Sequence, residues 1–187
     1  ITPELGVSLF LLTVVVCAGT ALAALLGAGF LLHRHAVRGE IYALVLFAAA
    51  GTPPGSAQRE FRQYYPGPGL VEHDAAEIWA ATLACTREMI EQAGGADRIA
   101  AIGITNQRET VVFWDRETGE PLAPAIVWQD RRSAAICAAL KEGGHEAQAQ
   151  AKTGLLLDPY FSGTKIRWAL EHWPQLRHAG DRLAVGT

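Results

Sequence analysis

Charge is missing from the opening of this sequence: from Leu5 to Leu32 there is no Asp, Glu, Lys or Arg. Nearly all of the charge lies after Gln58, so an overall hydrophobic content of 50% hides two unlike parts. Cysteine is scarce as well. Cys17, Cys85 and Cys137 are odd in number and far apart, which excludes a disulfide framework and a CxxC metal or redox motif and points to a reduced compartment. Lys/Arg blocks are absent and the net charge is −3, so there is no electrostatic footprint for a nucleic-acid partner. The pairs His33/His35 and His172/His178 lack matching Cys or carboxylate ligands, and no metal site is expected from them. A length of 187 residues allows one domain and little more.

What is present at the start is one apolar run, "LGVSLFLLTVVVCAGTALAALLGAGFLL". As a helix rising ~1.5 Å per residue it would exceed the ~30 Å hydrocarbon core of a bilayer. It is too long for a signal-peptide core, and Glu4 precedes it where a basic segment would be needed. These features predict a membrane helix over residues 5–32, with His33, Arg34, His35 and Arg38 on the cytoplasmic side. A second apolar run, "GEIYALVLFAAAG", stops at Pro53-Pro54 and is too short to span, which predicts a truncated second helix. Together, "SLFLLTVVVCAG", the basic turn and "RGEIYALVLFAAAG" resemble the membrane subunit N of bacterial NADH-quinone oxidoreductases over residues 5–51. The segment lacks the intramembrane Lys and Glu residues on which proton translocation depends in that family. Glu40 reads as a charge at a helix N-terminus.

The remainder alternates helix and strand signals. "HDAAEIWAATLACTREMIEQAGG" predicts an amphipathic helix with Asp74 as N-cap, Glu77 at the capping-box spacing and Gly94-Gly95 as the stop. Its expected inner stripe is Trp79, Leu83, Thr86 and Ile90, widened by Ile78 and Met89. "RIAAIGIT" predicts a strand covered on both faces. "ETVVFWDRETGEPLAPAIVWQD" predicts a hairpin turning at Glu117–Glu120. "RRSAAICAALKEGG" predicts a helix, and "SGTKIRWALEHWP" another, capped by Ser162, buried through Ile166, Leu170 and Trp173, and ended by Pro174. This order means α/β, a mixed sheet with helices packed on it.

Three polar clusters lie where strands are expected to end: "TNQRET", "VWQDRR" and "LDPYFSGTK". Ligands of open α/β sheets bind beyond such ends. Adjacent Arg and Glu side chains offer donors and acceptors to neighbouring hydroxyls, while a Trp face covers carbon, a set suited to a small polyol. The same Arg-Glu pair also reads as a surface ion pair.

The segments "EHDAAEIWAATL", "IAAIGITNQRETVVFWDRETGEPLAPAIVWQDRR", "TGLLLDPYFSGTKIRWALEH" and the closing "VGT" closely resemble the glycerol kinases of the FGGY carbohydrate kinase family, from Ala57 to Thr187. The resemblance implies ATP-dependent phosphorylation of glycerol to sn-glycerol 3-phosphate with Mg²⁺, on a ribonuclease-H-like, actin-like fold. It implies that Arg108 and Glu109 hold glycerol hydroxyls, that Tyr160 adds a hydrogen bond and that Trp128 packs on the carbon chain. Gln107 and the Asp130-Arg131-Arg132 run match the family motif as supports of the site, and Trp79 and Trp168 read as core.

Three parts of the family's machinery are not found. The early Asp-x-Gly-Thr-Thr-Ser-type phosphate loop is missing, and the general-base Asp and the adenosine-enclosing domain lie beyond Thr187 in the family pattern. Gly51-Thr52-Pro53-Pro54-Gly55-Ser56 imitates the loop, but Ala49 stands in place of the Asp and two prolines lack the N–H groups that cradle phosphate. The segment reads as a seam.

The expected organisation is a membrane-like part over 1–51, a junction over 52–57, and a kinase domain over 58–187 that lacks its first strands. Such a chain is expected to be inactive by itself and to supply no catalytic base, phosphate-binding or metal residue. Its Ile start and mid-motif end suit an incomplete reading frame. The kinase part is expected in the cytoplasm, with membrane association through residues 5–32. The competing readings are a fragment of a proton-translocating subunit and a membrane-tethered, non-catalytic polyol-binding module.

Overall fold

The computed structural model describes residues 10–17, 39–48 and 55–187. They fall into two compact units. One holds the described residues up to Arg62 together with Glu77–Asn106, and the other holds Gln63–Ala76 and Gln107–Thr187.

The first unit is a sheet with one long helix. Strand β1 (Phe10–Cys17) pairs antiparallel with β2 (Gly39–Ala48), in a register running from Phe10↔Ala48 to Cys17↔Ile41. β2 pairs antiparallel with β3 (Gly55–Tyr64), from Gly39↔Arg62 to Leu46↔Gly55. On its other side β1 runs parallel to β5 (Ile99–Thr105).

These pairings correct the reading of the N-terminus. The membrane helix expected over 5–32 is a β-strand at 10–17, and the truncated second helix is the strand β2. Residues 18–38 lie outside the described residues, as do Gly51–Pro54 of the imitation phosphate loop; Gly55 and Ser56 of that segment open β3. Two strands, β1 and β2, precede β3. Periodicity cannot tell a buried strand from a buried helix in a continuous apolar run. The β-branched series Thr13-Val14-Val15-Val16 favours the pleated conformation once β2 and β5 offer partners. Among the described residues no helix is long and apolar enough to cross a membrane. The membrane association and the proton-translocating reading therefore have no support there.

Helix α1 (Ala75–Ala93) starts as expected, with the Ala76 amide donating to Asp74 Oδ1 at 2.7 Å. It stops as expected too: Gly94 takes φ 86°, a conformation that suits glycine, and the Gly95 amide donates back to the Ile90 carbonyl at 3.0 Å. Of the expected inner face only Met89 is fully buried, so the buried face is shifted from the expected one. Cys85, Met89 and Ala93 are its buried residues, and Trp79 is 63% exposed, so Trp79 is not core. Small Cys and Ala side chains let a helix approach its sheet closely, and Met89 reaches to 4.0 Å from where a Cβ on Gly55 would stand. β5 also departs from expectation: Ile102 and Ile104 are exposed, so the strand is not covered on both faces.

The second unit is wholly antiparallel in its sheet. Gln63 and Tyr64 pair with β4 (Glu72–His73), β4 with β7 (Pro121–Ile126), β7 with β6 (Val111–Asp115), and β6 with β8 (Leu183–Gly186). The β6–β7 hairpin turns where predicted. Asp115 Oδ1 accepts the amides of Glu117 (2.9 Å) and Thr118 (3.3 Å), and Gly119 takes φ 76°.

Four helices follow or interleave: α2 (Ala134–Glu142), α3 (Glu146–Thr153), α4 (Ser162–His172) and α5 (Pro174–Ala179). α3 was not legible in the sequence because it carries no apolar stripe and buries no residue. Pro174 ends α4 and, with its φ already fixed, opens α5. The core joins Val111, Phe113 and Ile126 of the sheet to Ala169 and Leu176 of the helices. Ile166, Trp168, Leu170 and Trp173 pack against this cluster as expected, and Trp173 meets Phe113 edge-on at 6.0 Å.

Candidate functional site

The turn before β6 carries an unusual backbone. Its amide at Thr110 donates to the Gln107 carbonyl at 3.2 Å, and the Thr110 hydroxyl donates to Gln107 Oε1 at 2.7 Å. The turn leaves Glu109 at φ 67°, the left-handed region, which a residue with a Cβ occupies at a cost of about 1–2 kcal/mol. Among the described residues it is the one non-glycine with positive φ.

Two contacts from α4 hold Glu109 there. One carboxylate oxygen, Oε2, accepts the Ser162 amide at 2.8 Å and the Ser162 hydroxyl at 2.6 Å. Ser162 is the first residue of α4, where an amide has no helical partner and the helix dipole favours a negative charge. The sequence reading made Ser162 the cap. Instead Phe161 occupies the cap position without a side-chain bond, and the distant Glu109 carboxylate satisfies the helix start. Because the single Ser162 hydroxyl proton goes to Glu109, the Thr187 hydroxyl donates to Ser162 Oγ across 2.6 Å.

Lys165, fully buried one turn further along α4, donates from Nζ to the Glu109 carbonyl at 2.7 Å and to the Tyr160 carbonyl at 2.6 Å. Burial pushes its ammonium down from 10.5 to about 8, against the opposing pull of Glu109, Asp130 and Asp158.

Trp128 and Tyr160 meet edge to face, ring centres 6.1 Å apart, and the Trp128 amide donates to the Thr110 hydroxyl at 3.3 Å. The Tyr160 amide is fixed by Asp158 Oδ1 at 2.8 Å. Around this framework several polar groups are left without a partner among the described residues. They are the exposed guanidinium of Arg108, Glu109 Oε1 and Tyr160 Oη. The structure thus ties Glu109, Trp128 and Tyr160 together through Thr110 and Lys165, while Arg108 adjoins Glu109 in sequence and is exposed.

The Asp130-Arg131-Arg132 run is a brace. Asp130, fully buried, accepts the Val71 amide at 2.6 Å and the Arg132 amide, Nε and Nη2, each at 2.8 Å. Arg132 also reaches Glu72 of β4 at 2.8 Å and lies over the rings of Trp168 (4.8 Å) and Trp173 (5.3 Å). Burial alone would lower the Arg132 pKa, yet its bonds to Asp130 and Glu72 carry it above its ordinary value. Arg131 is paired with Asp158 at 3.3 Å. The roles of Lys165, Thr110 and Thr187 were missed in the sequence. For Lys165 a signal existed: it shares the 162-165-169 face that α4 buries.

The mixed sheet interleaved with helices has the fold of the ribonuclease-H-like, actin-like small-molecule kinases, as a solved relative shows. The glycerol kinase of Plasmodium falciparum, solved with ADP, superimposes with a TM-score of 0.72 at 31% identity, covering 79% of this chain and 30% of that one. A xylulose kinase from Brucella ovis superimposes with a TM-score of 0.66 at 25% identity, covering 80% and 30%. The model of the FGGY family of carbohydrate kinases, N-terminal domain, matches residues 41–184, and the chain belongs to that family. The match takes in most of β2. Glycerol kinases from Alcanivorax borkumensis and Trichlorobacter lovleyi are 57% and 59% identical to it over 146 residues, 76% of this chain in each case. The chain spans 29% of the length of each.

Proposed function

We propose that this chain carries the polyol-binding part of a glycerol kinase, whose whole reaction is ATP-dependent phosphorylation of glycerol to sn-glycerol 3-phosphate in the cytoplasm. The observation that carries the reading is that Glu109, held through Oε2 with Oε1 left over, is joined by Lys165 to Tyr160, whose ring meets Trp128. Each group fits one feature of glycerol. The Arg108 guanidinium donates to hydroxyl oxygens, Glu109 Oε1 accepts a hydroxyl proton, Tyr160 Oη does either, and the Trp128 face covers the carbon chain. High identity to glycerol kinases supports this choice of polyol over a longer sugar.

The described residues contain no group of three or more His, Cys, Asp or Glu side chains that could hold a metal ion by themselves. ATP is implied by the family. Phosphoryl transfer depends on positioned charge around metal-bound phosphates. The chain as it stands is therefore proposed to bind glycerol without turning it over. Isothermal calorimetry of the 187-residue chain tests the binding. A heat of glycerol binding that Arg108→Ala abolishes is the expected result, and no heat from the wild type overturns the reading. In a coupled ATP/glycerol assay, turnover within about a hundredfold of a complete enzyme contradicts the inactive state.

A further inference from the structure

We propose that Lys165 is a positioning residue for this site: by gathering the Glu109 and Tyr160 carbonyls onto one ammonium, it sets the left-handed backbone of Glu109 and aims Glu109 and Tyr160 at a common ligand. That they share a polyol rests on the reading above; that Lys165 orients Glu109 does not.

The geometry carries the argument. Left-handed φ is not a conformation that Glu adopts by preference, so the surroundings must over-determine it. The first turn of α4 does this by gripping Glu109 at both ends. Lys165 holds its main-chain carbonyl at 2.7 Å, and Ser162 holds its side-chain Oε2 through two bonds. With the carbonyl and Oε2 both fixed, Oε1 is the remaining acceptor of Glu109, and its direction follows from the other two attachments. The second bond of Lys165, 2.6 Å to the Tyr160 carbonyl, sets the segment that carries the other hydroxyl-binding group relative to the first. Lys165 itself is fully buried, so its Nζ has no access to a ligand in bulk solvent and acts through its two neighbours. A buried ammonium is costly unless its protons are used, which makes the two carbonyl bonds the condition for its presence.

The Ser162 amide reports on this arrangement directly. As the first amide of α4 it has no helical acceptor, so protection from solvent exchange comes from Glu109 Oε2. Amide hydrogen exchange of the 187-residue chain with Lys165→Met is the test. The expected result is Ser162 exchange faster by about tenfold or more, with mid-helix amides such as Ala169 and Leu170 as protected as in the wild type. A lysine that served stability alone would speed exchange across α4 together. Unchanged Ser162 protection, uniform loss along α4, or an unprotected Ser162 amide in the wild type each overturns the proposal.

If Lys165→Met does not fold, Lys165→Gln is read in its place. Its amide keeps two donors on a shorter stem that cannot span both carbonyls, and the same selective acceleration at Ser162 is expected. Calorimetry with glycerol then separates the two layers. Binding weakened about tenfold in the variant supports the aim at a shared ligand, and equal affinity in the two proteins overturns it. No heat from the wild type sinks the polyol reading, while the exchange result still decides whether Lys165 orients Glu109.

Discussion

In the first unit Ile102 and Ile104 of β5 stand 59% and 78% exposed, whereas in the second unit Lys165 and Asp130 are fully buried. Hydropathy alone would reverse this assignment. What separates the two cases is company. Among the described residues nothing covers the β5 isoleucines. In the second unit these buried charges are hydrogen-bonded to named neighbours: Asp130 to Val71 and Arg132, Arg132 to Asp130 and Glu72, Lys165 to two carbonyls. Burial of a polar group is tolerated when its partners are complete, and an apolar residue stays in water when no element lies over it.

The contrast can be broken hardest at Asp130. Asp130→Ala leaves Arg132 buried with Glu72 as its remaining carboxylate partner and frees the Val71 amide. Losing one member of a buried pair costs on the order of 3–5 kcal/mol, so the urea midpoint should fall sharply. A loss under about 1 kcal/mol would mean that the brace is not a closed network.

Next in size is the pH dependence of Lys165. In the folded chain its pKa is about 8, below the ordinary 10.5. Below about pH 8 both states are protonated and the cost of the buried charge is present in full. Between about 8 and 10.5 the folded state has lost its proton while the unfolded chain keeps one, so stability rises with pH across that window. At ~1.4 kcal/mol per unit the rise is of the order of 3 kcal/mol. Chemical denaturation at pH 7.5, 9 and 10.5 should show it in the wild type and lack it in Lys165→Met. Parallel curves for the two proteins would refute the perturbed lysine.

The smallest effect is expected in the first unit. Ile104→Ser, on an exposed edge-facing position, should change stability by no more than about 0.5 kcal/mol. A loss above about 2 kcal/mol would show that something covers this residue in solution.

Much of the local structure in both units is legible. The hairpin at Glu117–Glu120, the stop at Gly94-Gly95 and the Asp74 cap are local devices, set by residues a few positions apart, and each appears where the sequence signals it. The proposed site comes by another route: Arg108, Glu109, Trp128 and Tyr160 are named because three motifs follow one another in the order of a known family. The supporting groups were hidden. Lys165 on a helix ordinarily reads as a solvated charge, and only the return of the Gln107–Thr110 turn onto α4 adds the Glu109 carbonyl to the nearby Tyr160 carbonyl as its acceptors. Ser162 looked like a cap because the carboxylate that meets the helix start comes from 53 residues away. The N-terminal apolar run failed differently: its hydropathy was read correctly, but the same run suits a membrane helix or a sheet strand, and partners in β2 and β5 settle which.

The sequence by itself determined the short-range grammar of this protein, the caps, stops and turns, and through its ordered motifs the family to which it belongs, because those depend on neighbours in the chain. Tertiary structure decided which apolar run became strand, which isoleucines stayed in water, and which lysine was drawn inside to hold Glu109 in a conformation it would not choose. Those outcomes depend on long-range hydrogen-bond partners and on cover, and neither is written in local spacing.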